Sequence, residues 1–91
     1  MMKSSYLEQD LDRLACELEK GGFGGTTLLV TDSTGLIGSL CVQAAARYNT
    51  LYTDAIHVYA MARSKEKVQM VFADEFAAGC MDNVQFFYQD I

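Results

Sequence analysis

The fold is predicted best by one segment, Val30-Thr31-Asp32-Ser33-Thr34-Gly35-Leu36-Ile37-Gly38. Its apolar start is typical of a buried strand, and its glycines predict a tight turn that leads into the first turn of a helix. The start of a helix presents unpaired backbone N–H groups and the positive end of the helix dipole. A turn of this kind can hold the phosphates of a dinucleotide, because glycine has no Cβ to keep them away.

The glycine spacing matches a dinucleotide-binding turn at two of its three positions. Gly35 and Gly38 are three residues apart, as the second and third glycines of such a turn should be. Asp32 stands where the first glycine is expected. We expect Asp32 to adopt a left-handed turn conformation at some cost in strain. Its carboxylate would repel a phosphate at about 4 Å by about 4 kcal/mol, so the predicted site is weakened at this position.

Two further segments follow in a familiar order, Val58-Tyr59-Ala60-Met61-Ala62-Arg63-Ser64 and Val84-Gln85-Phe86-Phe87-Tyr88-Gln89-Asp90-Ile91. Together with the turn, which is close to the wording Gly-Ser-Thr-Gly-Leu-Ile-Gly, they resemble the extended short-chain dehydrogenase/reductase family. The closest likeness is to its NAD(P)-dependent epimerase/dehydratase branch, and it spans residues 26–91. In that family these segments are the second strand with its following loop, and the third strand with the Asp-Ile pair after it.

The hydrophobic pattern predicts an α/β fold, namely half of a Rossmann-type parallel sheet (βαβαβ, strand order 3-2-1) preceded by an N-terminal amphipathic helix. Residues 1–25 form the helix and a glycine-rich linker, and residues 26–91 form the N-terminal half of a dinucleotide-binding domain. Because the family's enzymes are far longer, we expect the chain to be a fragment. The first predicted helix is 5–20. The second is 35–49, and its inward face is Leu36, Ile37, Leu40, Cys41, Ala44, Ala45 and Tyr48. The third runs from the N-cap Ser64 to Gly79, and its inward residues are Val68, Val71, Phe72 and Phe76. The predicted strands are 26–31, 56–61 and 84–88.

The resemblance implies three groups of cofactor-binding residues. The turn would hold the pyrophosphate, with Asp32, Thr34, Gly35, Leu36, Ile37 and Gly38 around it. No carboxylate stands between Ile56 and Ser64 to bind a ribose hydroxyl. Arg63, Ser64 and Lys65 would instead meet the 2′-phosphate, which slightly favours NADP over NAD. Asp90 and Ile91 would border the adenine.

Catalytic residues are missing from the sequence. No tyrosine is followed four residues later by lysine, whereas the family uses Tyr-x-x-x-Lys for proton transfer. The resemblance implies a parent enzyme that moves hydride at the nicotinamide C4 of NAD(P) with nucleotide sugars or similar small molecules, and a chain that is inactive alone. The alternative is a catalytically silent half-domain that acts only as a binding or interaction module. A flavodoxin-like or receiver module is weaker, because only Asp32 is acidic at the end of the first strand.

Composition excludes several other classes. A net charge of −5 and a pI near 4.5 argue against nucleic acid as a partner. Cys16, Cys41 and Cys80 have neither disulfide-framework nor zinc-site spacing, and His57 has no metal-ligand spacing to an acid or thiol. There is no signal segment or membrane-spanning apolar run, so we expect a cytoplasmic protein without a membrane partner.

Self-association is expected from the missing remainder of the sheet. The first strand would have an open edge, and an uncovered face would expose Leu28, Val30, Phe86 and Tyr88. The N-terminal helix could cover part of that face in its own chain or in a neighbour. A homo-oligomer formed by pairing of first strands, helix exchange, or both is the predicted result.

Overall fold

The computed structural model describes residues 5–88, with side chains from residue 9 onward. The elements in chain order are α1 (Ser5–Lys20), β1 (Thr27–Val30), α2 (Leu36–Leu51), β2 (His57–Ala62), α3 (Lys65–Val71), α4 (Ala73–Ala78) and β3 (Val84–Tyr88). The predicted α/β class and the N-terminal helix are confirmed. The bounds of α1 and β3 are those predicted, and those of β1, α2 and β2 differ by one or two residues, whereas α3 and α4 replace a single predicted helix.

The three strands form one parallel sheet in the order β1-β2-β3. Leu29 pairs with Tyr59, and Tyr59 pairs with Gln85. Because the strands are parallel, their carboxyl ends lie at one edge of the sheet, and the loops that follow them lie there too. That edge carries the turn after β1 and the loop after β2.

The core lies on one face of the sheet. Alternate strand residues Val30, Val58 and Ala60 point into it and are almost completely buried. On α2 the side chains that meet them are small, and Ala45 and Ala46 are both fully buried. Small residues let the helix lie close to the strands, so this half of the molecule is tightly packed.

The inward face of α2 differs from the predicted one. Leu36 and Ile37 are 87% and 70% exposed, and Cys41 is exposed as well. The first turn of the helix instead places Gly38 against the backbone of the preceding turn, so residues 36 and 37 point away from the protein. The buried side chains on this helix are Val42, Gln43, Ala44, Ala45, Ala46 and Tyr48.

The predicted third helix is divided in two at Phe72. Its N-cap is confirmed, since Ser64 Oγ accepts a hydrogen bond from the Lys67 N–H at 3.3 Å, and Gly79 ends it in the left-handed conformation with φ of 71°. Phe72 leaves the helical conformation and is fully buried, with its ring 5.5 Å from that of Phe86. We attribute the break to the burial of this ring. Phe76, predicted to point inward, is 44% exposed.

Helix α1 packs on α2 and not on the sheet. Leu11 and Ala15 are buried in this contact, and Asp12 forms an ion pair with Arg47 of α2 at 3.4 Å. Within its own chain α1 therefore does not cover the open sheet face, because its apolar stripe is already used by α2; the alternative, that it covers this face in a neighbouring copy, stays a prediction.

The glycine-rich linker is held at the amino edge of the sheet by a tyrosine. Tyr48 Oη donates a hydrogen bond to Asp54 at 2.8 Å, and Gly24 lies so close to both side chains that a Cβ would collide with them. Burial, followed by this hydrogen bond, raises the pKa of Tyr48 from 10.0 to about 12. The side chain of Asn49, the next residue, accepts a hydrogen bond from the Ile56 N–H at 2.7 Å and donates one to the Ile56 C=O at 2.9 Å.

The uncovered face of the sheet is opposite to the one predicted. Leu28 is half-buried, Val30 is buried and Phe86 packs against the core. The reason is that the crossovers β1-α2-β2 and β2-α3-α4-β3 place their helices on the same face, which covers the strand residues pointing that way. Tyr88 is exposed as expected, at 45%. On the opposite face of the sheet, Leu29, Tyr59 and Phe87 are exposed and Met61 is half-buried.

Within residues 5–88 no helix has the length and apolar character needed to cross a membrane.

Candidate functional site

The turn between β1 and α2 has a left-handed residue at its centre. Asp32 has φ of 51°, and its carbonyl accepts a hydrogen bond from the Gly35 N–H at 2.9 Å. The predicted left-handed conformation of Asp32 is thus confirmed. Next to it the Ser33 N–H donates to the Met61 carbonyl at 2.9 Å, which fastens the turn to the end of β2.

Gly38 is fixed by close packing of the helix on the turn. A Cβ at this position would collide with the Asp32 carbonyl oxygen and would lie 2.9 Å from its carbonyl carbon and 3.0 Å from the Ser33 Cα. These are backbone atoms, which cannot rotate away as a side chain can. The first turn of α2 can therefore lie against the loop only when residue 38 is glycine.

Gly35 is the N-cap of α2, and its open side faces a carboxylate. Its backbone is extended, with φ of −73° and ψ of 175°. A Cβ added here would lie 2.6 Å from Asp32 Oδ2. The carboxylate of Asp32 therefore lies beside the place that a Cβ of Gly35 would occupy. This is the N-terminal end of α2, where the helix dipole favours anions.

The backbone of this turn favours an anion, whereas the side chain of Asp32 opposes one. The start of α2 presents backbone N–H groups, and Gly35 has no Cβ on the side that faces Asp32. The carboxylate occupies the same approach and carries the same sign of charge. Since Asp32 is exposed, its side chain can rotate towards solvent, which would lessen its repulsion of an anion at this turn.

Ser33 was not among the predicted site residues. It is completely buried, and within the described part of the chain its Oγ has no hydrogen-bond partner. No sequence pattern marks it, because a serine in a strand-to-helix turn is ordinarily a solvated turn residue.

The loop after β2 brings a second group of predicted residues to the same edge. Arg63 and Lys65 are exposed there, whereas the Ser64 hydroxyl is already used as the N-cap of α3. The hydrogen bond from Ser33 to Met61 shows that this loop begins beside the turn. The exposed side chains of Arg63 and Lys65 thus place two positive charges near the end of β2, where an anionic group can contact them.

The remaining predicted residues divide into those at the turn and those outside the described residues. Thr34 is half-buried, and Leu36 and Ile37 project from the start of α2 as large exposed apolar side chains. Asp90 and Ile91 lie outside the described residues, although β3 ends at this same edge, where Tyr88 pairs with Ala62.

A cleft of about 340 Å³ lies away from this edge, between α1, α2 and α4. It contains the buried Glu75 beside the apolar Leu11 and Ala46, so it is a separate feature from the turn. Among the described residues no group of three or more histidine, cysteine or acidic side chains could hold a metal ion.

Comparison with family models, with curated proteins and with solved structures finds no match to this chain. The family resemblance of the sequence therefore stays a prediction.

Proposed function

We propose that this chain is the pyrophosphate- and adenine-binding half of an NAD(P) site in an epimerase- or dehydratase-type oxidoreductase. One observation carries the proposal: a parallel strand leads through a left-handed turn into a helix whose first turn needs glycine at Gly38 and leaves Gly35 bare. The parallel order β1-β2-β3 is compatible with half of a Rossmann-type sheet.

Each part of the edge has a role in this proposal. The backbone N–H groups at the start of α2 bind the diphosphate, and Leu36 and Ile37 shield the apolar parts of the ligand. Arg63 and Lys65 bind the 2′-phosphate, for which a guanidinium is well shaped. This gives NADP a slight advantage over NAD. Asp90 and Ile91 would complete the adenine side.

The chain alone performs no catalysis in this proposal. It has no Tyr-x-x-x-Lys pair to move a proton, so hydride transfer to or from a nucleotide sugar or similar molecule needs residues that this sequence does not contain. The parent enzyme would be cytoplasmic.

A second candidate function is a silent half-domain that only binds partners. The exposed apolar sheet face with Leu29, Tyr59 and Phe87 favours it, because a patch of this kind on a small protein commonly marks an interaction site.

Nuclear magnetic resonance of the ¹⁵N-labelled chain tests the dinucleotide proposal. With millimolar NADP we expect the largest amide shifts at residues 34–38 and 63–65, and somewhat weaker binding of NAD. In Gly35→Ala the new methyl displaces the Asp32 side chain, lies 3.2 Å from the Asp32 carbonyl oxygen and keeps an allowed backbone, yet it stands where a phosphate must approach. That variant should fold and lose the shifts, whereas Gly21→Ala, a matched change in the linker, should keep them. Wild-type spectra that do not change with either cofactor would refute the proposal.

A further inference from the structure

The outer sheet face, which we define as Leu29, Tyr59, Met61 and Phe87, has no cover within the described residues. Leu29 is 68% exposed, Tyr59 42% and Phe87 43%. The rings of Tyr59 and Phe87 lie 5.6 Å apart, and the four side chains surround a shallow apolar hollow of about 290 Å³. The face therefore has both projecting groups and a depression beside them.

Parallel sheets are ordinarily covered on both faces. Here α2, α3 and α4 cover one face, and α1 packs on α2, so none of the described helices covers the outer sheet face. The strand residues that point to this side include no acid, lysine or arginine; they are Thr27, Leu29, His57, Tyr59, Met61, Gln85 and Phe87. In a chain with a net charge of −5, two copies repel each other least when they meet at such a face.

We propose that the outer sheet face binds a second copy of this chain, sheet against sheet. A twofold axis parallel to the strands and close to Tyr59 and Met61 exchanges the two outer strands. Because Leu29, Tyr59 and Gln85 are level along the strands, it places Leu29 of each copy opposite Gln85 of the other and Tyr59 opposite Tyr59, with the central strands facing each other. Two sheets packed in this way lie about 10 Å apart with strands within about 30° of each other. The inference does not depend on the dinucleotide proposal.

The exposed area sets the strength of this contact. If a large side chain presents about 200 Å² when fully exposed, the exposed fractions of Leu29, Tyr59 and Phe87 amount to roughly 300 Å² per copy. Two copies then bury roughly 600 Å² of these side chains, below the 1,200–2,000 Å² of stable complexes. Polar neighbours such as His57 and Gln85 add a rim. The dimer is therefore reversible, and it dissociates on dilution.

The open edge of β1 offers the competing arrangement, in which two first strands pair. That edge is apolar and has no proline or charge to protect it. The two arrangements differ in which strands they need: edge pairing uses β1 alone, whereas face-to-face packing needs Tyr59 on β2 and Phe87 on β3 as well.

Sedimentation equilibrium over a wide concentration range tests the proposal with a pair of charged variants. Leu29→Lys and Gln85→Glu should each dimerise more weakly than the wild type, because each places unpaired charges in the contact. An equal mixture of the two should dimerise better than either variant alone, because one contact becomes a lysine–glutamate pair and the other remains leucine against glutamine. Met70→Lys is the control, since Met70 is 72% exposed on α3 and away from the face. Circular dichroism checks that each variant is folded.

Three results would overturn the proposal. A wild type that stays monomeric at all concentrations leaves the face without a second copy. Loss of the dimer in Leu29→Lys with no change in Gln85→Glu indicates pairing of β1 edges. Failure of the mixture to dimerise better than either variant, with both variants folded, excludes the contact between Leu29 and Gln85.

Discussion

Replacement of Asp32 by glycine is expected to strengthen NADP and NAD binding. The Asp32 carboxylate lies over Gly35, with Oδ2 2.6 Å from the place where a Cβ would stand. A diphosphate that approaches Gly35 therefore comes within about 4 Å of this charge. At that separation two like charges repel by about 4 kcal/mol at an effective dielectric of about 20, and by about 1 kcal/mol in bulk water.

The expected gain lies between these limits, because Asp32 is exposed and its side chain can rotate away. At about 1.4 kcal/mol per factor of ten, removal of the carboxylate should lower Kd by roughly fivefold to 700-fold. The left-handed φ of 51° also suits glycine better than aspartate, so the turn should stay formed.

Titration calorimetry of the wild type, Asp32→Gly and Asp32→Asn separates charge from shape. Asparagine has the same size as aspartate and tolerates the left-handed region, so it should recover most of the gain if repulsion is the cause. The gain should shrink as salt is raised. If both variants bind as weakly as the wild type, or more weakly, the turn is not a phosphate site and the reasoning fails.

Three further predictions concern other parts of the molecule. Gly38→Ala should destabilise the fold by about 1–3 kcal/mol, since its Cβ meets backbone atoms of Asp32; urea denaturation measures this, and an unchanged midpoint would show that the turn can move. Arg63→Ala should weaken NADP binding several-fold and leave NAD binding nearly unchanged, because only NADP has a 2′-phosphate; equal losses for the two would place Arg63 elsewhere on the ligand. The pKa of Tyr48 is raised to about 12 by burial and by the hydrogen bond to Asp54, so the folded chain keeps this proton after the unfolded chain has lost it near pH 10. Stability should therefore fall between pH 10 and pH 12, and a Tyr48→Phe variant should show a smaller fall in its denaturation midpoint over that range.

Local signals in the sequence predicted most of the fold. The N-cap at Ser64, the left-handed stop at Gly79 and the apolar run before Asp32 each depend on neighbours in the chain, and all three are found in the structure. Helix-length crossovers between short apolar strands also predicted the parallel sheet.

Errors arose where tertiary packing decides between two local options. Leu36 and Ile37 continue the apolar pattern of α2, yet Gly38 is the residue that meets the turn, so the pattern did not predict their exposure. The face of a strand that receives the helices is likewise not marked in the strand itself. Leu28 and Leu29 are the same residue type, and only the placement of the crossovers distinguishes them.

The candidate site was predicted in outline but not in its contacts. The spacing of Gly35 and Gly38 located the turn, and the position of Asp32 in it was also evident. That the Asp32 carboxylate lies over Gly35 depends on a side-chain rotamer, and the buried Ser33 hydroxyl depends on how the turn meets β2. Neither has a signature in sequence spacing.

The contact between Gly38 and the backbone of Asp32 limits what the presence of this glycine indicates about ligand binding in related sequences. Its requirement comes from packing alone, so selection for a folded chain retains Gly38 whether or not a ligand is ever bound. The requirement at Gly35 is weaker, because its Cβ would mainly meet the Asp32 side chain, which can move, and would lie 3.2 Å from the nearest backbone atom. In descendants that no longer bind the cofactor, Gly35 should therefore be substituted before Gly38. The residue at position 35 is then a better indicator of past binding than the residue at position 38.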